Sequence, residues 1–398
     1  MRVGLISFHS FIKPGGVKKH VLGLQKEFKR RGIYSKIIVP RRTFEENYGK
    51  DVLLLGKSFP LHFAGTQSDF CINFNPLAIE EILEKERFDV LHFHNFGFPS
   101  VWQILEKSNS LNILTFHANL EGSKLFERFP IFLKVVEKIV QWKIDGIIGV
   151  APLNLKYFKN YSGPKIVIPN GIDLEEFSPE GLKIEKFSDG KINILFVGRI
   201  EERKGLIYLL KAYKILTKKY PRSLRLIVVG DGSLKKDCQK YVETNNLKEV
   251  YFEGEITGKE LASYYRSCDI FCSPAIFGES FGLVLVEAMA CGKPVVAFAN
   301  EGYKGVLTGK AARFLANPRD YKTLAKKLEI LIKDEKLRKE MGQWGIKEAK
   351  NYSWPKIAQK ILDFYNLCLK EKQKRAKKAP SLEKSIYKII NKILPKAS

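Results

Sequence analysis

The sequence predicts an α/β protein of two doubly wound, Rossmann-like domains that face each other across a cleft. Three observations carry this reading. Short apolar runs alternate with longer amphipathic segments almost throughout, the pattern of βαβ units whose strands are buried on both faces. The chain has 398 residues with 45% hydrophobic content, enough for two ordinary cores, and the alternation restarts near residue 190. Between the halves, Pro169-Asn170-Gly171-Ile172-Asp173 and Ser178-Pro179 supply turn chemistry rather than periodicity, so 169–190 reads as a linker.

In the first half, runs rich in Val, Ile, Leu and Phe predict strands at 2–7, 35–39, 89–93, 112–116, 146–150 and 165–168. Helical spacing of apolar residues predicts helices at 17–31, 76–87 and 131–143. In the second half the strands fall at 192–197, 224–229, 249–252, 269–273 and 294–298. The helices there fall at 204–219, 234–245, 258–266, 281–290 and 320–332. Tyr352-Ser353-Trp354-Pro355 then opens an amphipathic helix at about 356–369, read as crossing back to the first domain. The expected domains are 1–168 with a crossover helix at 355–370, the linker at 169–190, a second domain at 191–354 and a tail at 371–398.

The tail changes composition. After a charged stretch, Leu382, Ile386, Ile389, Ile390, Ile393 and Leu394 recur at helical spacing, with Lys384, Lys388 and Lys392 as a second stripe. Such a helix suits an anionic membrane surface, contacted through 381–394. The formal net charge of +25 also points to an anionic partner. Nucleic acid is not that partner, because the chain has no groove-reading helix and no aromatic stacking platform. Six scattered cysteines lack zinc-ribbon spacing and fit a reducing compartment. Met1 to Phe8 reads as a buried strand rather than a signal peptide, and no apolar run is long enough to span a bilayer. The expected location is cytoplasmic, peripheral on the inner face of the plasma membrane.

Six segments carry chemistry. In the run from Gly278 to Pro294, Glu279 and Glu287 bracket a short apolar stretch. Ionised carboxylates only accept hydrogen bonds and suit hydroxyl-rich ligands. If the stretch is helical they stand at most about 12 Å apart along the axis, close to the reach of a folded nucleotide sugar. In Gly198-Arg199-Ile200-Glu201-Glu202-Arg203-Lys204-Gly205, Arg199 ends a strand and Lys204 opens a helix. Together they suit a diphosphate, and held charge of this kind stabilises a departing diphosphate and can replace a metal. Lys13-Pro14-Gly15-Gly16-Val17 precedes a helix carrying His20, and its glycines admit close approach of a phosphate to backbone amides. Thr115-Phe116-His117-Ala118-Asn119 ends a strand facing the cleft. His92 and His94 flank Phe93 and point to one side. No third ligand stands near them in sequence, so no metal site is expected. The loop Phe252 to Thr257, with Ile256, is placed to hold a base by backbone contacts.

Taken in order, these segments resemble the retaining glycosyltransferases of the GT-B fold, family four. The matching pieces are Pro14 to Val17, the His117 strand end, Pro169 to Asp173, Gly198-Arg199 to Lys204-Gly205, Val229-Gly230-Asp231-Gly232 and the Glu279/Glu287 pair. The similarity covers about residues 1–368. Within the family, the start of the chain and Phe88 to His94 look most like bacterial phosphatidylinositol mannosyltransferases. The resemblance implies that Gly15 and Gly16 meet the donor diphosphate and that Arg199 and Lys204 bind it. Glu279 would hold the donor sugar and Glu287 the ribose, while Phe281 and Gly282 offer backbone amides; Ile256 of the base-holding loop completes the donor side. His117 would contact the transferred sugar, making His117, Arg199, Lys204 and Glu279 the catalytic set. His9, His20, His92, His94, Asn119 and Lys124 are placed on the acceptor side. No cofactor and no essential metal is implied. The donor would be GDP-mannose or a UDP-hexose, and the acceptor a lipid-linked or cell-envelope glycan. The helix at 76–87 departs from the pattern, since Glu80, Glu81, Glu84 and Glu86 make it acidic where a membrane-docking helix is basic. A soluble acceptor is the alternative within the fold, and a non-catalytic sugar-nucleotide-binding protein the alternative outside enzymes.

Overall fold

The protein's structure, a computed structural model, describes residues 1–12, 15–63, 66–96, 99–119 and 130–378. Two sheets organise it. The first contains β1 (Arg2–Ser7), β2 (Tyr34–Arg41), β3 (Val52–Phe63), β4 (Thr66–Ile72), β5 (Val90–His94), β6 (Leu111–Phe116), β7 (Gly146–Gly149) and β8 (Lys165–Val167). Their order is β4-β3-β2-β1-β5-β6-β7-β8, parallel throughout except for the β3–β4 hairpin. The second contains β9 (Ile192–Val197), β10 (Leu224–Val229), β11 (Val250–Gly254), β12 (Ile270–Ser273), β13 (Val295–Phe298) and β14 (Leu315–Ala316), all parallel in the order β11-β10-β9-β12-β13-β14.

In both sheets the chain reverses its direction of strand addition beside the first strand. The switch lies between β1 and β5 in one domain and between β9 and β12 in the other. Crevices at the carboxyl ends of strands at such points are where open α/β sheets bind ligands. The segments singled out above leave these strands: His94 ends β5, Gly198 follows β9 and Pro274 follows β12.

Packing explains the elements that periodicity missed. The β3–β4 hairpin carries Gly56 and Pro60 within its first strand, and Gly56 takes a left-handed φ of 81° where a Cβ would meet the Ile72 carbonyl at 2.9 Å. The helix Glu335–Ala349 is interrupted in sequence by Gly342 and Gly345. Those glycines let it press on the helix Leu283–Ala290: a Cβ at Gly342 would lie 2.3 Å from the Gly292 carbonyl. The helix Ser100–Lys107 spans eight residues, too few for a periodic signal.

The crossover helix Trp354–Lys378 packs on the first domain. Ile357, Ile361, Phe364, Tyr365 and Cys368 join Val3, Leu5, Val21, Leu24 and Phe28 in one core cluster. Lys372 donates to the Ser110 carbonyl and pairs with Asp145 at 2.9 Å, so residues 371–378 continue this helix rather than begin a tail. The two chain crossings run side by side. Ile172 donates its N–H to the Tyr352 carbonyl at 2.8 Å, and Trp354 returns a bond to the Ile172 carbonyl. The sequence-predicted membrane segment 381–394 lies outside the described residues. Among the described residues, no helix is long and apolar enough to cross a membrane.

Candidate functional site

A cluster of charged side chains is built at the end of β9. After Val197 the chain passes Arg199 and enters a short 3-10 turn, Glu202–Lys204, which Gly205 ends at φ 69°. Any Cβ at Gly205 would lie 2.1 Å from the Pro274 carbonyl, so only glycine lets this turn settle against the segment leaving β12. The turn delivers two cations to one carboxylate. Lys204 Nζ is 2.6 Å and Arg203 Nη1 2.9 Å from Glu279 Oε1. Arg203 also pairs with Glu201 at 3.2 Å, and Glu201 pairs with Arg199 at 2.8 Å. Arg199, Arg203 and Lys204 against Glu201 and Glu279 leave one surplus positive charge, as a site for a phosphate group needs. Burial alone would raise the Glu279 carboxyl; Lys204 and Arg203 overcome it and hold Glu279 below the ordinary range, ionised. Burial lowers the Lys204 ammonium, and Glu279 opposes that shift.

Glu287 sits in the helix Leu283–Ala290, two residues after Leu285, almost wholly buried. Its two oxygens are both taken. Tyr265 donates its hydroxyl to Oε2 at 2.8 Å, and Lys19, from the first helix of the other domain, donates to Oε1 at 2.8 Å. Burial lowers the Lys19 ammonium, but Glu287 more than compensates and the net shift is upward. Gly16 faces the same helix, with a Cβ there 3.9 Å from Leu283; nothing stands within 4 Å of one at Gly15. The helix starts at Leu283, so residues 280–282 lie before it rather than in its first turn, and Gly282 takes a φ of 100°. The Phe281 ring is buried against Tyr352, which leaves its backbone as the part able to meet a ligand. Ile256 is half-buried against the second-domain core.

On the first-domain side, Asn119 reaches across the cleft. Its Nδ2 donates to the Glu279 carbonyl at 3.3 Å, and its Oδ1 accepts from Tyr157 at 3.1 Å. His117 is half-buried beside it, its N–H held by Asn95 Oδ1 at 2.6 Å and its Nε2 3.2 Å from His94 Nδ1. His20 lies behind, 4.7 Å from the His117 ring centre to centre. Two expectations are corrected here. His92 does not line the cleft: it is fully buried, with Thr115 and Tyr365 at 2.6 Å on its two ring nitrogens, and it fastens the crossover helix to the sheet. The absence of a third ligand also fails in space, since His20 joins His94 and His117. His9, half-buried after β1, lies against Phe8 with ring centres 3.9 Å apart and planes tilted by 38°. Lys124 lies outside the described residues.

Two family models match the chain: Glycosyltransferase Family 4 over residues 14–176 and Glycosyl transferases group 1 over 178–348. A phosphatidyl-myo-inositol mannosyltransferase of Mycobacterium leprae is 31% identical over 92% of this chain and 96% of its own. The chain belongs to glycosyltransferase family 4. An uncharacterized glycosyltransferase of Methanocaldococcus jannaschii is 30% identical over 88% of this chain and 94% of its own. Among solved structures, the sucrose-phosphate synthase of Thermosynechococcus elongatus superposes with a TM-score of 0.75 at 20% identity, covering 93% of this chain and 99% of its own. An Anabaena protein solved with UDP and glucose superposes with a TM-score of 0.71 at 18% identity, covering 92% and 99%. These likenesses give the GT-B fold to this glycosyltransferase.

Sequence reading of this glycosyltransferase missed Arg203 and Lys19. Arg203 stood inside a charged loop where any of four residues could have faced solvent. Lys19 lies on a helix whose partner is in the other domain, and no local pattern announces a contact 268 residues away. The available signal for Arg203 was its place next to Lys204 on a turn that a glycine must close.

Proposed function

We propose that this glycosyltransferase moves a hexose from a nucleotide diphosphate sugar, GDP-mannose first and a UDP-hexose second, to a lipid-linked or cell-envelope glycan acceptor with retention of configuration. The observation that carries the reading is Glu279: a buried carboxylate gripped by Lys204 and Arg203, with its own backbone carbonyl held by Asn119 of the facing domain. A donor entering this place exchanges internal ion pairs for its own groups. Its sugar hydroxyls donate to Glu279, and its diphosphate takes up Arg199 and Lys204, whose charge stabilises the negative charge that grows as the glycosidic bond breaks. The acceptor oxygen attacks from the face the diphosphate leaves, and the departing phosphate oxygen takes its proton. Neither a covalent nucleophile nor a metal is required by this route. The mannose and lipid assignments draw support from the named relative in Mycobacterium leprae, and the membrane assignment from the basic amphipathic stretch at 381–394.

The test is a donor screen by hydrolysis and thermal shift, followed by Glu279→Ala. Transfer falls below detection in Glu279→Ala while nucleoside diphosphate binding stays within a few-fold of wild type. Failure of every nucleotide sugar to bind sinks the reading; loss of nucleotide binding in the variant means Glu279 was given the wrong partner. Because Lys372 anchors the crossover helix, the membrane assignment is tested by deleting 379–398 and no more. The truncated enzyme keeps turnover on a soluble acceptor analogue and loses co-sedimentation with anionic liposomes; unchanged co-sedimentation refutes a docking role for the tail.

A further inference from the structure

Three of the six histidines meet beside the cleft. His20 comes from the first helix, His94 ends β5 and His117 follows β6, so three elements deliver imidazoles to one point. One ring nitrogen from each lies within 4.8 Å of the other two. His94 Nδ1 and His117 Nε2 are 3.2 Å apart. Two imidazole nitrogens on a tetrahedral zinc ion, each at about 2.0–2.1 Å, stand about 3.3 Å from one another. That edge already has the spacing of a metal site, and a swing of the His20 ring closes the third corner.

The surroundings fit a cation that takes neutral nitrogen ligands. Both ring nitrogens of His20 and Nε2 of His94 are buried with no hydrogen-bond partner. Folded proteins rarely leave such atoms orphaned, and an ion held between His94 Nδ1 and His117 Nε2 would accept the lone pair of one His20 nitrogen. The Asn170 side chain, its Oδ1 buried, lies beside His20 and His117, placed to accept an N–H from a metal-bound ring. The Trp354 indole covers the far side, 5.2 Å from the His20 ring. His117 is half-buried, two residues before Asn119, whose Nδ2 donates to the Glu279 carbonyl. The ligand set contains imidazole alone, which favours zinc, copper or nickel over magnesium or calcium. Three protein ligands leave a fourth position for an outside group.

We infer that His20, His94 and His117 form a three-histidine site for a zinc-class divalent cation, and that an ion held there occupies the hexose subsite and inhibits transfer. The second half rests on the glycosyl-transfer reading above; the first does not. The test uses the full chain without a histidine tag, stripped with chelator and titrated with Co2+ as a spectroscopic probe. One equivalent binds with the visible ligand-field absorption of a low-coordinate nitrogen site, and Zn2+ displaces it. His20→Gln and His94→Gln each weaken Co2+ binding at least about a hundredfold, while His9→Gln leaves it unchanged. His94→Cys, which keeps a ligand atom, retains binding and adds a thiolate-to-cobalt charge-transfer band, which protects the test against a glutamine variant that fails to fold. No Co2+ or Zn2+ uptake by the wild type, or wild-type affinity in the His20→Gln/His94→Gln double variant, overturns the site. Saturating Zn2+ suppresses transfer and chelator restores it; metal binding with transfer undiminished overturns the subsite overlap. A chain that binds Co2+ yet transfers no sugar from any donor supports the site and refutes the glycosyl-transfer reading.

Discussion

At the scale of single residues, the charged cluster around Glu279 is a relay of ion pairs rather than a set of independent contacts. Arg203 touches both Glu201 and Glu279, so it fixes the distance between the carboxylate that would hold sugar and the cations that would hold phosphate. Its side chain is about 15% exposed, and it acts as a positioning residue through Glu279. Arg203→Ala leaves Lys204 as the sole cation on Glu279 and frees the carboxylate to shift; kcat falls by about a hundredfold, with KM for the nucleotide sugar changing much less. Arg203→Lys keeps the charge but loses the fork that meets two carboxylates, and recovers only part of the rate. Equal loss in kcat and in nucleotide affinity would place Arg203 on the diphosphate instead. Lys204 and Glu279 were legible in the sequence because each stood in a patterned segment at an element end. Arg203 was not, because it stood among other charged residues of a loop and its partner lies 76 positions away.

At the scale of elements, turns set the site and turns were the harder part to read. The strands were legible because burial on both faces makes them nearly continuous apolar runs. The β3–β4 hairpin was not, because glycine and proline within a strand weaken the signal that packing at a sheet edge tolerates. The turn from Glu202 to Gly205 shows the same limit: helical periodicity extends naturally back to Lys204, but the helix begins at Leu206 after a left-handed glycine. That difference moves Lys204 off the helix and onto Glu279. Gly205→Ala places a Cβ in left-handed backbone and against the Pro274 carbonyl, a strain of about 1–3 kcal/mol. The variant unfolds at a lower temperature and binds nucleoside diphosphate at least tenfold more weakly. The added loss arises because the segment carrying Lys204 must lift away from Pro274. Nucleotide affinity equal to wild type would show that the turn does not position Lys204.

At the scale of the whole molecule, the domains are tied across the cleft by groups that a donor would also use. Lys19 of the first domain occupies Glu287 of the second, and Asn119 holds the Glu279 carbonyl. Lys26 adds a surface pair to Asp173 in the connecting segment at 2.7 Å, worth little by itself because Lys26 is exposed. The Lys19–Glu287 pair is different. Glu287 is about 3% exposed, and removing Lys19 leaves a buried carboxylate supported by Tyr265 alone. An unpaired buried charge costs several kcal/mol, and the least costly relief is to open the cleft and hydrate it. Lys19→Ala therefore has a larger radius of gyration than wild type by small-angle scattering in the absence of ligand. Saturating nucleoside diphosphate returns it to the wild-type value, because ribose hydroxyls then donate to Glu287 in place of the ammonium. An unchanged radius of gyration in ligand-free Lys19→Ala would show that the cleft is held by its packing rather than by this pair. An expanded form that nucleotide fails to close would move the ribose away from Glu287.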